Sequence, residues 1–249
     1  MKLSLLLIIF FILIVKANAF QTGETLIYDI KYGVITAGES TLTLKEITYR
    51  DTIACYQILS KASTNSFFDK VYKVRDEIES IWRIRDLQAL RFTKKLREGN
   101  YRQHRIHFYY PEQGFTIYTR IGKNKTKEDR MDIPPFTQDI LSSFYYLRMQ
   151  EFTVGDTVVV NVTADGRNYP AKIIARKLEK IETIFGEKEC IVVEPILEGE
   201  AIFKQTGEIY IWITNDEYKI PVLLSSKIIF GSFKAILKDA KNVPYKIKN

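Results

Sequence analysis

Only one stretch of this chain, Thr137–Met149, carries the periodicity of a helix, and almost everything else reads as strand. The segment TQDILSSFYYLRM follows Pro134 and Pro135 and has no internal breaker. Thr137 is placed to cap its N-terminus, and Asp139 to complement its dipole. Ile140, Leu141, Phe144, Tyr145 and Leu147 fall on one broad face at helical spacing. A lone amphipathic helix between two long β segments is most simply a plug packed across a sheet.

The flanking segments are short and rich in β-branched and aromatic residues. Glu39–Thr48 sets Thr41 and Thr43 against Leu42 and Leu44, and Phe67–Ile84 alternates over many residues. Arg50-Asp51, Gly155-Asp156, Asp165-Gly166 and Phe185-Gly186 punctuate the strands. Lys123–Arg130 (KNKTKEDR) reads as a charged, solvated loop. The expected fold class is all-β, with strongly curved antiparallel sheets closed into a barrel-like or clasp-like body around one helix. Closure also removes the edge strands that invite aggregation.

An internal repeat fits this architecture. Gly23-Glu24-Thr25, Cys55, the run ending at Trp82, and Gly99 recur as Gly155-Asp156-Thr157, Cys190, the run ending at Trp212, and Gly231, at offsets of 130 to 135 residues. The halves 23–99 and 155–231 then form one domain, 20–249, with 100–153 as a central insert that carries the helix.

The first residues speak to compartment. Lys2, the apolar run Leu3–Val15 and the small-x-small motif Ala17-Asn18-Ala19 come in the order of a signal peptide, predicting cleavage after Ala19. A retained N-terminal anchor is the alternative reading of the same residues. No later stretch is long and apolar enough to span a bilayer as a helix. The product is expected to be periplasmic or secreted. The formal charge of +7, which includes Lys2 and Lys16, suits anionic envelope molecules. Nucleic acid is not an expected partner of an exported chain. Cys55 and Cys190 are the only cysteines. Export permits a bridge between them, while their apolar strand neighbours equally suit small buried hydrophobes.

Catalytic motifs are lacking. His104 and His107 lie in a strand, where a separation of three sends the rings to opposite faces. They read as surface or rim histidines, and neither a metal nor a cofactor is expected. There is no G-x-S-x-G nucleophile elbow, phosphate loop or dinucleotide fingerprint. Asp76, Glu77 and Glu79 sit close to Arg75 and Arg83, so exposed ion pairs account for them. The basic-aromatic run from Trp82 to Tyr110 is the candidate binding surface. Arg83, Arg85, Arg91, Arg102 and Arg105 would form its rim, and Tyr101 with Phe144 and Tyr145 of the helix its lining. Strands must also place charge in solvent, which explains such a run without a ligand.

The blocks GETLIYDIKYGVITAGESTLTL, KVYKVRDEIESIW, QDILSSFYYLR and IFKQTGEIYIWITNDEYKIPVLLSSKIIFGSFKAIL resemble the Domain of Unknown Function 3108 family of exported bacterial proteins. The resemblance implies a secreted or periplasmic β-rich protein and carries over no catalytic residue. The combined expectation is a non-enzymatic envelope protein binding a lipid, glycolipid, polysaccharide or another envelope protein. The alternatives are a hydrolase of envelope polymers and a scaffold without a ligand.

Overall fold

The computed structural model describes residues 19–197, 208–227 and 232–248. Residues 1–18, where the signal peptide is expected, and the Gly231 repeat marker lie outside these residues. The first strands are β1 (Thr25–Tyr32), β2 (Ile35–Tyr49), β3 (Ile53–Thr64), β4 (Arg75–Arg83), β5 (Ala89–Glu98), β6 (Tyr101–Tyr110), β7 (Phe115–Ile121) and β8 (Thr126–Asp132). The helix α1 (Ile140–Arg148) follows. Then come β9 (Thr157–Ala164), β10 (Arg167–Thr183), β11 (Gly186–Leu197), β12 (Ile209–Thr214), β13 (Pro221–Lys227) and β14 (Ser232–Lys241).

All fourteen strands form one antiparallel sheet in the order β8-β7-β6-β5-β4-β3-β2-β1-β14-β13-β12-β11-β10-β9, curled but not closed. Local hairpins account for every pairing except β1 with β14, where Thr25 faces Lys241 and the two ends of the chain meet. A sheet this wide accumulates right-handed twist and curls. Its apolar face is then buried against itself and against α1, which contacts β4 on one wing and β9 on the other.

Period-2 alternation decides what faces inward. Trp82 and Ser80 of β4 point to the helix side, as do Tyr56 of β3 and Phe92 of β5. Leu26, Tyr28, Leu44, Ile58, Trp82, Tyr145 and Ile220 are buried in one cluster. Val160, Val162, Ala171, Ile173, Ile191 and Val193 make a second, with Phe144 packed against both. Each large side chain buried this way stabilises by roughly 1.5–3 kcal/mol.

The helix starts two residues later than its sequence suggests. Gln138 is drawn into β9: its N–H donates to the Asn161 carbonyl and its carbonyl accepts from Thr163 N–H, both at 2.8 Å. Asp139 is therefore the cap, accepting from the N–H groups of Leu141 and Ser142 at 2.8 and 2.9 Å. Ser142 Oγ accepts from Asp139 N–H in return, completing a capping box. Thr137 instead donates its hydroxyl to the Pro134 carbonyl. The buried side of α1 also differs from the apolar stripe. Ser142, Tyr145, Leu147 and Arg148 are buried, while Ile140 is 39% exposed. A second correction concerns residues 126–132, which are not loop but the edge strand β8, paired with β7 from Thr126–Ile121 to Asp132–Phe115. Its charges are what an edge strand carries to resist further pairing.

Arg148, at the last turn of α1, is 1% exposed and ion-paired with Glu24, also 1% exposed. Its Nη1 donates to Glu24 Oε1 at 2.6 Å and its Nη2 to Oε2 at 2.8 Å. Nη2 also reaches the Ala19 carbonyl, and Nε the Tyr218 carbonyl. Burial opposes the guanidinium charge, and Glu24 more than offsets it, so Arg148 is held above its ordinary pKa. We expect Glu24→Gln and Arg148→Met each to cost about 3–5 kcal/mol, because each strands a buried partner. Urea denaturation of the double variant Glu24→Gln/Arg148→Met should show much less than the summed loss.

Cys55 and Cys190 are both buried free thiols and do not form a bridge. Cys55 packs with Ile81 and Leu90 on the face of the sheet turned away from the helix, whereas Cys190 lies in the central cluster. Burial raises the two thiols to about 11 and about 12, which removes thiolate reactivity. Both should resist a disulfide-exchange reagent in the native chain and react, two per chain, in denaturant.

Candidate functional site

The curl is drawn together by the β9–β10 hairpin, whose Asp165-Gly166 turn has φ +50° and +76°, the two left-handed residues of a tight hairpin. This tip rests on the concave side of β5, β6 and β7. Asp165 pairs with Lys94 at 2.5 Å, Tyr109 donates its hydroxyl to the Thr163 carbonyl at 2.7 Å, and Gly166 N–H donates to His107 Nε2 at 3.2 Å. A Cβ at position 166 would stand 2.7 Å from the Tyr118 ring, so glycine is required there twice over. His107 is 1% exposed, not at a rim, and stacks on Tyr118 and Tyr109. Because Nε2 accepts, Nδ1 carries the proton and donates to Thr116 Oγ1, whose hydroxyl donates to the Phe108 carbonyl.

Register places a cationic row beside this seam. Lys94 of β5 lies directly opposite Arg105 of β6, Arg105 opposite Arg120 of β7, and Arg120 opposite Lys127 of β8. Residues in direct opposition share a face, so four cations line up on the concave side. Arg105, Arg120, Gly122, Lys125 and Lys127 line an open notch of about 260 Å³. Among the described residues Asp165 is paired with Lys94 and Asp129 with Arg120. Arg120 Nε is buried without a hydrogen-bond partner among the described residues. Opposed like charges destabilise a sheet. An anion seated in the notch would relieve that repulsion.

Residues 27–238 match the family described as Protein of unknown function (DUF3108). The chain belongs to the DUF3108 family. No curated protein matches it in sequence. A β-barrel-like protein of Domain of Unknown Function DUF1849 from Brucella abortus is 11% identical, with 90% of this chain and 99% of that one covered and a TM-score of 0.58. A Bacteroides fragilis structure with a YmcC-like fold is 10% identical over 89% and 97% of the two chains, with a TM-score of 0.32. The first likeness shows that the DUF3108 chain shares a β-barrel-like fold.

In this DUF3108 chain the anticipated binding residues do not converge on one surface. Arg83 is buried and bound to Asp86 and Glu112, with Arg85 beside the same two carboxylates. Arg91 pairs with Glu79 on the convex face and lies over the Tyr49 ring. Arg102 donates to the Gly99 and Tyr101 carbonyls, and Tyr101 is half exposed at the end of β6. Tyr145 is fully buried, its hydroxyl on Glu24 and its ring against Phe20, and Phe144 is partly buried between the two core clusters. Of the set, only Arg105 lies in the notch. Arg120 is a site residue that the alternation of β7 could have marked, whereas Lys125 and Lys127 fall in the charged stretch that the sequence presents as loop. Among the described residues no group of three His, Cys, Asp or Glu side chains could hold a metal ion.

Two buried groups give opposite pH slopes. Burial drives His107 down from 6.5 to about 4; Asp165 opposes the shift and Lys94 adds to it. The unfolded chain then binds the extra proton between those values, and stability falls as pH drops from 6.5 towards 4, by at most about 3 kcal/mol. Burial raises Asp139 from 3.8 to about 6, against hydrogen bonds from Ser80, Ser142 and Leu141. There the folded chain holds the extra proton, and stability falls as pH rises through that window. Denaturation curves at several pH values should therefore show His107→Gln losing the acid-side decline and Asp139→Asn losing the opposite slope. Curves parallel to the parent would refute the assignment.

Proposed function

We propose that the protein is an exported, non-enzymatic envelope binding module that receives the anionic part of an amphipathic envelope molecule in the β6–β8 notch. The cross-strand row Lys94, Arg105, Arg120 and Lys127 carries this reading, because nothing in sheet packing favours four opposed cations. Guanidinium groups suit a phosphate or carboxylate oxygen pair, and the open mouth suits a headgroup whose apolar tail stays outside. Export after cleavage following Ala19 belongs to the same proposal. Cleavage there would remove one acceptor of Arg148, the Ala19 carbonyl, and retain the buried Phe20. The filled core around Tyr145 favours a second reading, a scaffold that binds nothing.

Calorimetric titration with dihexanoyl phosphatidic acid, and with dihexanoyl phosphatidylcholine as control, separates the two. Binding of the acid should weaken about tenfold or more in Arg105→Gln/Lys127→Gln and fall with added salt. No heat with either lipid would leave the scaffold.

A further inference from the structure

The turns at the two ends of the curled sheet differ in character. At the end carrying turns 50–52, 84–88, 111–114 and 184–185, the turn residues presented to solvent are polar, namely Arg50, Asp51, Thr52, Arg85, Glu112 and Gln113, with Val154 and Ile247 nearby 45% and 40% exposed. At the other end the β7–β8 and β9–β10 turns are polar, but the tips from β14 to the β5–β6 turn are apolar. Val34 is 93% exposed, Val71 78% and Phe67 68%, joined by Ile35, Tyr72, Tyr101, Tyr32 and Phe233.

These tips are neighbours along one rim. Tyr32 of β1 and Phe233 of β14 face each other with ring centroids 5.2 Å apart. Asn65 ties the β3–β4 turn to β2 through the Ala37 and Thr36 carbonyls, which sets Phe67 beside the Val34-Ile35 turn. Gly99 N–H donates to the Lys73 carbonyl, and Tyr72 lies over Gly99, which brings in the β5–β6 turn and Tyr101. The apolar tips thus follow one another along the rim across β14, β1–β2, β3–β4 and β5–β6.

Cations are interleaved with them. Residues 31–34, 65–74, 98–102 and 232–234 hold Lys31, Lys70, Lys73, Arg102 and Lys234 against Asp69 and Glu98. Asp69 is taken up by Arg75, which donates to its two oxygens at 2.9 and 2.6 Å. We infer that this rim docks on the surface of an anionic lipid bilayer, with the valine and aromatic tips entering the interface and the lysines meeting headgroups. Aromatic rings and long cationic stems are the side chains that partition to that boundary. Separate projecting tips make a poor jigsaw face for a folded protein, but a fluid bilayer requires no matching shape. A second copy of the rim would set like charges against one another. The inference does not use the notch.

The test is co-sedimentation of the chain, purified from an exporting host, with vesicles of equimolar phosphatidylglycerol and phosphatidylcholine, and with phosphatidylcholine alone. We expect partition to the anionic vesicles, weakened at about 0.5 M salt. Val34→Ser/Phe67→Ser/Val71→Ser should reduce it about tenfold or more, since three exposed apolar contacts are lost. Lys70→Gln/Lys73→Gln should reduce it with an unchanged melting temperature. Absence of partition, or partition unaltered by both rim variants, overturns the inference. So does loss confined to Arg105→Gln/Lys127→Gln, which would place the lipid contact in the notch. Concentration-dependent dimerisation abolished by the triple serine variant would assign the rim to a second copy instead.

Discussion

The structure depends on an ion pair that forms between residues far apart in sequence. Glu24 precedes β1, Arg148 closes α1, and both are out of water. Two desolvated charges are tolerable only if their remaining hydrogen-bonding capacity is met. Here it is met by Tyr145 O–H on Glu24 and by the Tyr218 carbonyl on Arg148, with the Ala19 carbonyl as a further acceptor in the uncleaved chain. The partners come from the N-terminal segment, the helix and the β12–β13 connection, so satisfying one guanidinium fixes three parts of the fold. A cation in the last turn of α1 also complements the helix dipole. At the other end of the helix, Asp139 accepts from Ser80 of β4 at 2.5 Å while Gln138 is bonded to β9. The first end of the plug is therefore pinned to both wings through β4 and β9, and the second to the middle of the sheet beside β1 and the β12–β13 connection.

A curled sheet that stops short of closure must manage two edges. β9 is covered in part by Gln138, which forms a parallel bridge to Val162. β8 is left outermost and protects itself with charge. The hairpin tip at Asp165-Gly166 closes the concave side over β5–β7 but does not pair with β8. The cationic notch lies beyond that tip on β6–β8, lined by Arg105, Arg120, Gly122, Lys125 and Lys127.

The strands were legible because half-buried sheet imposes a period of two, and Leu42, Leu44, Val160 and Val162 carry it plainly. β8 was illegible because this exposed edge strand holds a single apolar residue, Met131, which cannot show a period. Thr137 lost the capping role because β9 recruited the Gln138 backbone, a tertiary contact with no local trace. Glu24 and Arg148 could not be matched by any spacing rule. The basic-aromatic run is visible as a composition, but parity divides its residues between the two faces of the sheet. Arg91 goes to the convex face while Lys94 and Arg105 go to the concave one. His107 shares that parity with Arg105, which is why it is buried under the hairpin tip while His104 is not.

Parity also explains why the interior is not the place to look for binding chemistry. Inward positions around the helix are taken by Trp82, Tyr145, Phe92 and Leu44, all of which are buried by neighbours. A ligand entering there would have to displace side chains whose packing holds the curl. Positions beyond the reach of the plug have no such partners, and it is there that the sheet presents opposed cations on β5–β8 and apolar tips at one rim. Both features would lower the stability of a chain selected only to be a filled barrel. Their placement outside the packed region lets the fold carry them, because repulsion between solvated cations and exposure of single apolar tips cost far less than the same groups would in the core.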